Sequence, residues 1–263
     1  MKIQFYKYEG TGNDFVIIDN RKGKLKANNP KLWEKLCDRR FGIGADGLML
    51  LQNKKGYDFE MVYVNSDGKP SSMCGNGGRC ITHFAKMMSV IKGNKVHFLA
   101  IDGDHDATIK GEVVKLKMKD VTKIEEKHGR FVLNTGSPHY VEFVKDARHT
   151  DVVSDGRTIR NSATFKKEGI NVNFVETRKN DIPLLRTYER GVEDETLSCG
   201  TGTVATALVL AGENKATAKD HCDIQTMGGK LKVWFKKNKN SFKDVWLEGP
   251  VKMVYMGEIE ISK

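Results

Sequence analysis

Two cysteines stand in the same setting: Cys74 opens Cys-Gly-Asn-Gly-Gly and Cys199 opens Cys-Gly-Thr-Gly. In each, glycines let backbone amides approach a ligand closely, and the residues beyond read as the first turn of a helix. A helix start presents unpaired amides and partial positive charge. These hold a carboxylate and lower a thiol's pKa from its free value of about 8.5. A matched pair of such thiols has a specific use. Inverting a stereocentre by proton transfer needs a base on one face of a carbon and an acid on the other. A thiolate removes the α-proton, a thiol returns one from behind, and amides at the helix starts stabilise the charge that spreads into the α-carboxylate. A lone cysteine is ordinarily a small buried apolar residue, and Cys37, Cys80 and Cys222 are read that way. The duplicated context sets Cys74 and Cys199 apart.

The elements that position these thiols also repeat. Thr11-Gly12 matches Thr135-Gly136, Gly42-Ile43 matches Gly169-Ile170, Tyr63 matches Tyr188, and Asp102-Gly103 matches Gly228-Gly229. All lie at offsets of 124–127 residues, with the cysteines at 125. Five matches in one order predict two similar domains, with a boundary in the charged stretch Lys119–Glu126. The period is too long for a solenoid. Strand signals dominate. Val113–Met118 and Lys230–Phe235 alternate with period two, as half-buried strands do, and Asp102-Gly103 and Gly228-Gly229 mark turns. Pro30 opens a helical pattern with Leu32, Trp33, Leu36 and Cys37 on one face. Ile81, Phe84, Ala85 and Met88 make a second. Thr203–Ala211 is apolar nearly all round, which suits a helix buried on every side. The expected fold is α+β: two pseudo-symmetric domains, each a strand-rich, mostly antiparallel sheet wrapped around a central helix, with the active site in the interdomain cleft.

Composition excludes other classes. With 39% apolar and 30% charged residues, the chain reads as a globular protein. No apolar run approaches the length needed to cross a bilayer. The start, MKIQFYKYEG, reads as a strand rather than a secretion signal. An odd count of 5 cysteines points to free thiols in a reducing compartment, and no spacing fits a zinc site. The net charge of +10 is dispersed except at Lys236-Lys237-Asn238-Lys239, read as a solvated hairpin tip. No nucleic-acid module accompanies it. Gly42-x-Gly44-x-x-Gly47 matches a dinucleotide fingerprint, but it precedes the strand-like Leu48–Leu51 instead of following a strand, so no nucleotide site is expected.

Taken together, these residues closely resemble the diaminopimelate epimerase family. The motifs that carry the resemblance are Gly10-Thr-Gly-Asn-Asp-Phe15, Asn65-Ser-Asp-Gly68, Met73-Cys-Gly-Asn-Gly-Gly-Arg-Cys80, Gly136-Ser-Pro-His139, Asn171-Val-Asn-Phe174, Tyr188-Glu-Arg-Gly191 and Ser198-Cys-Gly-Thr-Gly202. They span essentially the whole chain; the Cys-Gly motifs alone would also fit proline racemase-like proteins and phenazine-biosynthesis isomerases.

The resemblance implies conversion of LL-diaminopimelate to the meso form without pyridoxal phosphate, other cofactor or metal. It places that step in lysine and peptidoglycan-precursor synthesis, in a cytoplasmic homodimer. It also implies that the last strand returns to the first domain, giving domains 1–118 plus 251–263 and 119–250. Cys74 and Cys199 become the acid–base pair. Gly75, Asn76, Gly200 and Thr201 donate to the reacting carboxylate, and Asn13, Asn65, Asn173, Glu189 and Arg190 contact substrate. Arginine suits a distal carboxylate because its fork binds two oxygens. His139 and Glu189 become neighbours that tune the thiols. Gly47 and Ser137 depart from the family pattern, where some members have glutamine and asparagine, which leaves the distal contacts open. A racemase of a smaller amino acid keeps the cysteines with less need of a distal anchor. A basic nucleic-acid-binding protein gives the paired loops no role.

Overall fold

The computed structural model describes residues 1–71, 73–177, 181–239 and 241–261. The chain divides into two units, Met1–Leu116 with Pro250–Lys263, and Lys117–Gly249.

The first unit opens with the antiparallel strands β1 (Lys2–Gly10) and β2 (Asn13–Asp19). Thr11 and Gly12 turn the hairpin at φ 54° and 85°, as a two-residue link between right-twisted strands requires. Helix α1 (Pro30–Cys37) leads to β3 (Gly47–Gln52), parallel to β2; β4 (Phe59–Asn65) runs back antiparallel. Helix α2 (Gly75–Met87) then leads to β5 (Lys95–Ala100), parallel to β4, and β6 (Gly103–Lys110) and β7 (Val113–Lys117) follow antiparallel. A helix lies between the strands of each parallel pair because a parallel neighbour needs a crossover.

The second unit repeats this order. Its strands β8 (Glu125–Lys127), β9 (Arg130–Asn134) and β10 (Pro138–Phe143) are antiparallel neighbours. Helix α3 (Val152–Arg160) leads to β11 (Asn171–Glu176), parallel to β10, and β12 (Leu184–Glu189) returns antiparallel. A short β13 (Asp194–Thr196) pairs with β12. Helix α4 (Gly200–Gly212) leads to β14 (His221–Thr226), parallel to β12, then β15 (Gly229–Asn238) and β16 (Ser241–Pro250). The last strand, β17 (Lys252–Glu260), lies antiparallel to β1 in the first unit, the place that β8 takes beside β9. Both units are therefore mixed sheets of one α+β topology.

Each unit has a central helix and a peripheral one. Helix α2 packs against β1, β2, β3, β4 and β6, and α4 packs against β9 to β12, β14 and β15. From residue 202 to 211 every α4 side chain is buried, and each Leu or Val so covered contributes about 1.5–3 kcal/mol. The peripheral α1 buries Trp33, Leu36 and Cys37 against Ile3, Phe5, Val16 and Leu48. Its counterpart α3 carries no comparable apolar stripe, with only Val152 and Gly156 buried, so periodicity does not announce it. Its start is set by Asp151, whose side chain accepts from the Ser154 amide at 3.1 Å.

Two glycine-rich or basic stretches prove structural. The loop Gly42–Gly47 follows α1 and opens β3, and its amides cap the helix: Ile43 and Gly44 donate to the Leu36 carbonyl, Ala45 to that of Cys37. A β-carbon on Gly42 would stand 2.0 Å from the Lys35 carbonyl oxygen, so glycine is required for packing. In the lysine run, Lys237 is not simply solvated. Its ammonium donates to the Ala211 carbonyl at 2.7 Å, at the C-terminal end of α4.

Candidate active site

Cys74 and Cys199 occupy the N-cap positions of α2 and α4, the two equivalent helices. Neither thiol caps its helix through a hydrogen bond. Backbone bonds start the helices instead, Gly78 N–H to the Cys74 carbonyl at 2.7 Å and Thr203 N–H to the Cys199 carbonyl at 2.9 Å. Ser, Thr, Asp and Asn are the residues that stabilise this position. Cysteine at both therefore points to a use for the sulfur rather than for the cap.

In the first unit, sheet register assembles the surroundings of Cys74. Phe15, Gly47 and Asn65 form one row across β2, β3 and β4, with Asn13 at the start of β2 beside that row. The Cys74 Sγ lies 3.5 Å from Asn13 Oδ1, and Asn76 Nδ2 lies at the same distance from that oxygen. Asn13 is held by its other end, Nδ2 donating to Asp46 Oδ2 at 2.6 Å. Asp46 and Asp14 are gripped by Arg39, and Asp14 by Lys7 as well. Burial alone would raise the Asp14 carboxyl, but Arg39 and Lys7 hold it well below the usual carboxylate range. Asn65 ends β4 with an exposed side chain, its backbone tied to Lys69 and Gly68 in a turn. Gly47 leaves room for Tyr63, whose ring would stand 2.6 Å from a β-carbon there.

Arg79 lies beneath this cluster and was not singled out by its sequence. It is wholly buried and bonds three neutral acceptors: Asn76 Oδ1 at 2.7 Å, Thr11 Oγ1 at 3.1 Å and the Pro250 carbonyl at 2.8 Å. A helical side chain leans toward the N-terminus, so a cation five residues past Cys74 comes to lie at the first turn. Burial lowers its pKa.

In the second unit, His139 and Asn171 pair across β10 and β11, and Asn173 pairs with Thr187 across β11 and β12. His139 is wholly buried, and burial with the nearby Arg190 charge pushes its pKa down to about 3. It is therefore neutral near pH 7 and acts on its neighbours through hydrogen bonds rather than charge. Its Nε2 meets Ser137 Oγ at 3.1 Å, Ser137 Oγ meets Thr201 Oγ1 at 3.2 Å, and Thr201 Oγ1 meets Cys199 Sγ at 3.6 Å.

Asn173, expected at the substrate, is wholly buried. Its amide donates to the Tyr140 carbonyl and to His139 Nδ1, and its oxygen accepts from Thr187. Gly202 leaves the room for it, since a β-carbon there would stand 2.5 Å from Asn173 Oδ1. Asn171, two residues back on the same strand face, joins the same cluster without having been assigned a role by its motif. It donates to Ser137 Oγ and the Pro138 carbonyl and accepts from the Arg190 amide at 2.9 Å. The period-two rule places 171 and 173 together and is the signal that finds it.

Glu189, at the end of β12, accepts from Thr196 Oγ1 at 3.0 Å. Arg190 is exposed, with one guanidinium nitrogen on the Glu168 carbonyl. Gly75 and Gly200 begin the helices directly after the cysteines. Gly77 and Gly78 serve packing: β-carbons there would stand 3.2 Å from Met49 Sδ and 3.0 Å from Met73 Sδ.

The remaining thiols, Cys37, Cys80 and Cys222, are buried, and burial raises all three, Cys37 to about 12. They are unreactive packing residues. Among the described residues no group of three or more His, Cys, Asp or Glu side chains is arranged to hold a metal ion, and no helix is long and apolar enough to cross a membrane. A concavity of about 600 Å³ on the second unit, lined by Arg148, Asp181, Arg186, Met227 and Lys230 among others, contains neither Cys199 nor His139. Its Arg186 is already committed to Glu195.

The description "Diaminopimelate epimerase" belongs to the family model that matches the chain twice, over residues 5–124 and 131–254. A diaminopimelate epimerase of Flavobacterium psychrophilum is 49% identical over 254 residues, covering 96% of this chain and 98% of its own. That of Chlorobaculum tepidum is 40% identical, covering 96% and 99%. Among solved structures, a PhzF-family phenazine biosynthesis protein of Bacillus anthracis superposes with a TM-score of 0.79 at 14% identity, covering 99% of this chain and 100% of that one. A hydroxyproline epimerase of Agrobacterium vitis gives 0.69 at 13%, covering 98% and 92%. At such identities the structural likeness speaks for the fold, and the two sequence relatives speak for the family.

Proposed function

The chain belongs to the diaminopimelate epimerase family, and is thus an isomerase; from that premise we propose that it interconverts LL- and meso-diaminopimelate by two-base proton transfer between Cys74, Cys199 and the substrate α-carbon. The observation that carries this reading is the thiol at the N-cap of each of two equivalent helices, a position that gains nothing from cysteine as a cap.

One thiolate removes the α-proton from one face, and the other thiol delivers a proton to the opposite face. The developing charge spreads into the α-carboxylate, which the first-turn amides at Gly75–Asn76 and Gly200–Thr201 stabilise. Asn13 and Asn65 contact the reacting end. The exposed guanidinium of Arg190 takes the distal carboxylate, with Glu189 beside it for the distal ammonium. Asn173 acts from behind, by fixing His139. The same reading gives the enzyme a place in lysine and peptidoglycan-precursor synthesis, in the cytoplasm and as a homodimer. Val254, Tyr255 and Met256, exposed on β17, support a second copy covering that strand.

The direct assay is chiral separation of diaminopimelate isomers after incubation with the purified chain. Meso product from the LL isomer is expected, with proline and hydroxyproline unchanged. Turnover of a monocarboxylate with none of diaminopimelate would replace this reading with the racemase one.

A further inference from the structure

The start of α2 holds a buried charge that the start of α4 lacks. Arg79 is wholly buried, and at the matching place, 125 residues on, stands Val204, equally buried. The two helices are otherwise alike, each of 13 residues with a cysteine at the N-cap and glycine directly after it. Gly10 makes the room for the larger side chain. A β-carbon there would stand 3.0 Å from Cys80 Sγ, 3.3 Å from the Asn76 carbonyl oxygen and 3.7 Å from Arg79 Nη2. The end of β1 thereby closes onto the helix with the guanidinium enclosed.

A guanidinium keeps its charge at any ordinary pH and offers five N–H donors. Enclosing one is costly unless an opposite charge and a full set of acceptors come with it. Arg79 has neither. Its acceptors, Asn76 Oδ1, Thr11 Oγ1 and the Pro250 carbonyl, are all neutral. Among the described residues, its Nε has no hydrogen-bond partner and no carboxylate forms an ion pair with it. The acidic groups whose fields reach it are Cys80, Cys74 and Glu9. Burial keeps Cys80 a thiol, and a Glu9 oxygen accepts from the Gly12 amide at 3.1 Å. Cys74 alternates between thiol and thiolate in the two-base scheme, so it is no standing counter-ion.

We infer that the counter-charge Arg79 lacks within the chain is the α-carboxylate of the substrate, received at the first turn of α2. This rests on the epimerase reading above and adds a fixed charge to one of its two sets of backbone amides. Arg79 is a positioning residue, not a catalytic one: it stands behind Asn76, whose side-chain oxygen its Nη2 holds at 2.7 Å. Its field acts through a region closed to water, where a unit charge reaches further than in solvent. The α-carboxylate is singly negative in the bound substrate and takes on more charge as the α-proton leaves. A fixed cation behind it therefore favours binding and favours the transition state more.

Three variants separate charge from hydrogen bonding. Arg79→Lys keeps the charge with fewer donors, Arg79→Gln keeps a donor without the charge, and Arg79→Met keeps neither. The two neutral variants are expected to lose kcat/KM by about 10²-fold, shared between a raised KM and a lowered kcat, and Arg79→Lys to recover at least about tenfold over both. A binding measurement removes the sulfur from consideration. On a Cys74→Ala background, calorimetric titration with meso-diaminopimelate should show affinity about tenfold weaker with Arg79→Gln and restored with Arg79→Lys. Urea midpoints on each preparation establish that it is folded, and Arg79→Met takes the place of Arg79→Gln if the latter is not. Equal kcat/KM for the lysine and the neutral variants, or affinity on the Cys74→Ala background that ignores the charge at position 79, would overturn the inference and leave Arg79 a hydrogen-bonding brace. Turnover by the unaltered chain with charge-independent binding sinks only this inference; no turnover of any diaminopimelate isomer sinks the reading beneath it.

Discussion

Cys74→Ser and Cys199→Ser are each expected to lose epimerase turnover by at least about 10²–10⁴-fold while the chain becomes no less stable. The kinetic half of this expectation follows from the two-base scheme. Each direction needs one sulfur as base and the other as acid, and a serine hydroxyl is far too weakly acidic to supply either at neutral pH. The structural half follows from the helix starts. Each cysteine sits at an N-cap that its side chain does not cap, and the helices begin through backbone bonds to the Cys74 and Cys199 carbonyls. Serine is a favoured residue at that position and gains a bond to a first-turn amide, so stability should rise by about 0.5–1 kcal/mol for each substitution. Urea midpoints and turnover measured on the same preparations check both halves. Loss of activity accompanied by loss of fold would make the cysteines structural, and substantial turnover in either variant would remove the two-base scheme.

Arg79→Ala is expected to destabilise the chain by about 3–5 kcal/mol. Burying a guanidinium is costly in itself, and replacing it with an apolar side chain of equal length would offset much of what is lost. Alanine does not. It leaves a cavity where one of the largest wholly buried side chains stood, and it strips donors from Asn76 Oδ1, Thr11 Oγ1 and the Pro250 carbonyl. Those acceptors belong to α2, to the β1–β2 turn and to the segment that leads back into β17, so a single cation ties three distant stretches of the first unit. Arg79→Met separates the contributions. It should recover much of the stability but remove the Arg79 hydrogen bond to Asn76 Oδ1, with kcat/KM down by about 10²-fold, as for a misplaced positioning group. Denaturant midpoints within about 1 kcal/mol of the unaltered chain for Arg79→Ala would show that the buried charge holds nothing together.

Much of this architecture was legible because the chain states it twice. The 125-residue spacing of Cys74 and Cys199 reappears as two 13-residue helices in equivalent places between parallel strands. The apolar circumference of Thr203–Ala211 reads directly as a helix covered on all sides. Helix α3 was not legible, since it buries too little to leave an apolar period. Nor was Arg79 within Cys-Gly-Asn-Gly-Gly-Arg-Cys: an arginine reads as a solvated residue until its partners are known. The roles of Asn171 and Asn173 illustrate the same limit. Motif membership brings both into the neighbourhood of the site, but only the structure shows that the Asn173 amide nitrogen is turned to the Tyr140 carbonyl and His139 Nδ1, with its oxygen accepting from Thr187. The Gly42–Gly47 spacing does not announce its packing role, which emerges only from the α1 carbonyls that it caps.

The central claim is that two different sulfurs serve opposite faces of one carbon, and solvent isotope in early turnover tests it most directly. LL-diaminopimelate is given to the enzyme in deuterium oxide and the reaction is stopped at low conversion, with product and remaining substrate separated and analysed by mass. A two-base enzyme places one solvent deuteron in the meso product and leaves the recovered LL isomer unlabelled, because the base that removes a proton is not the acid that delivers one. Deuterium in the recovered LL isomer at a rate matching product formation would mean that one group both takes and returns the proton, and would contradict the account.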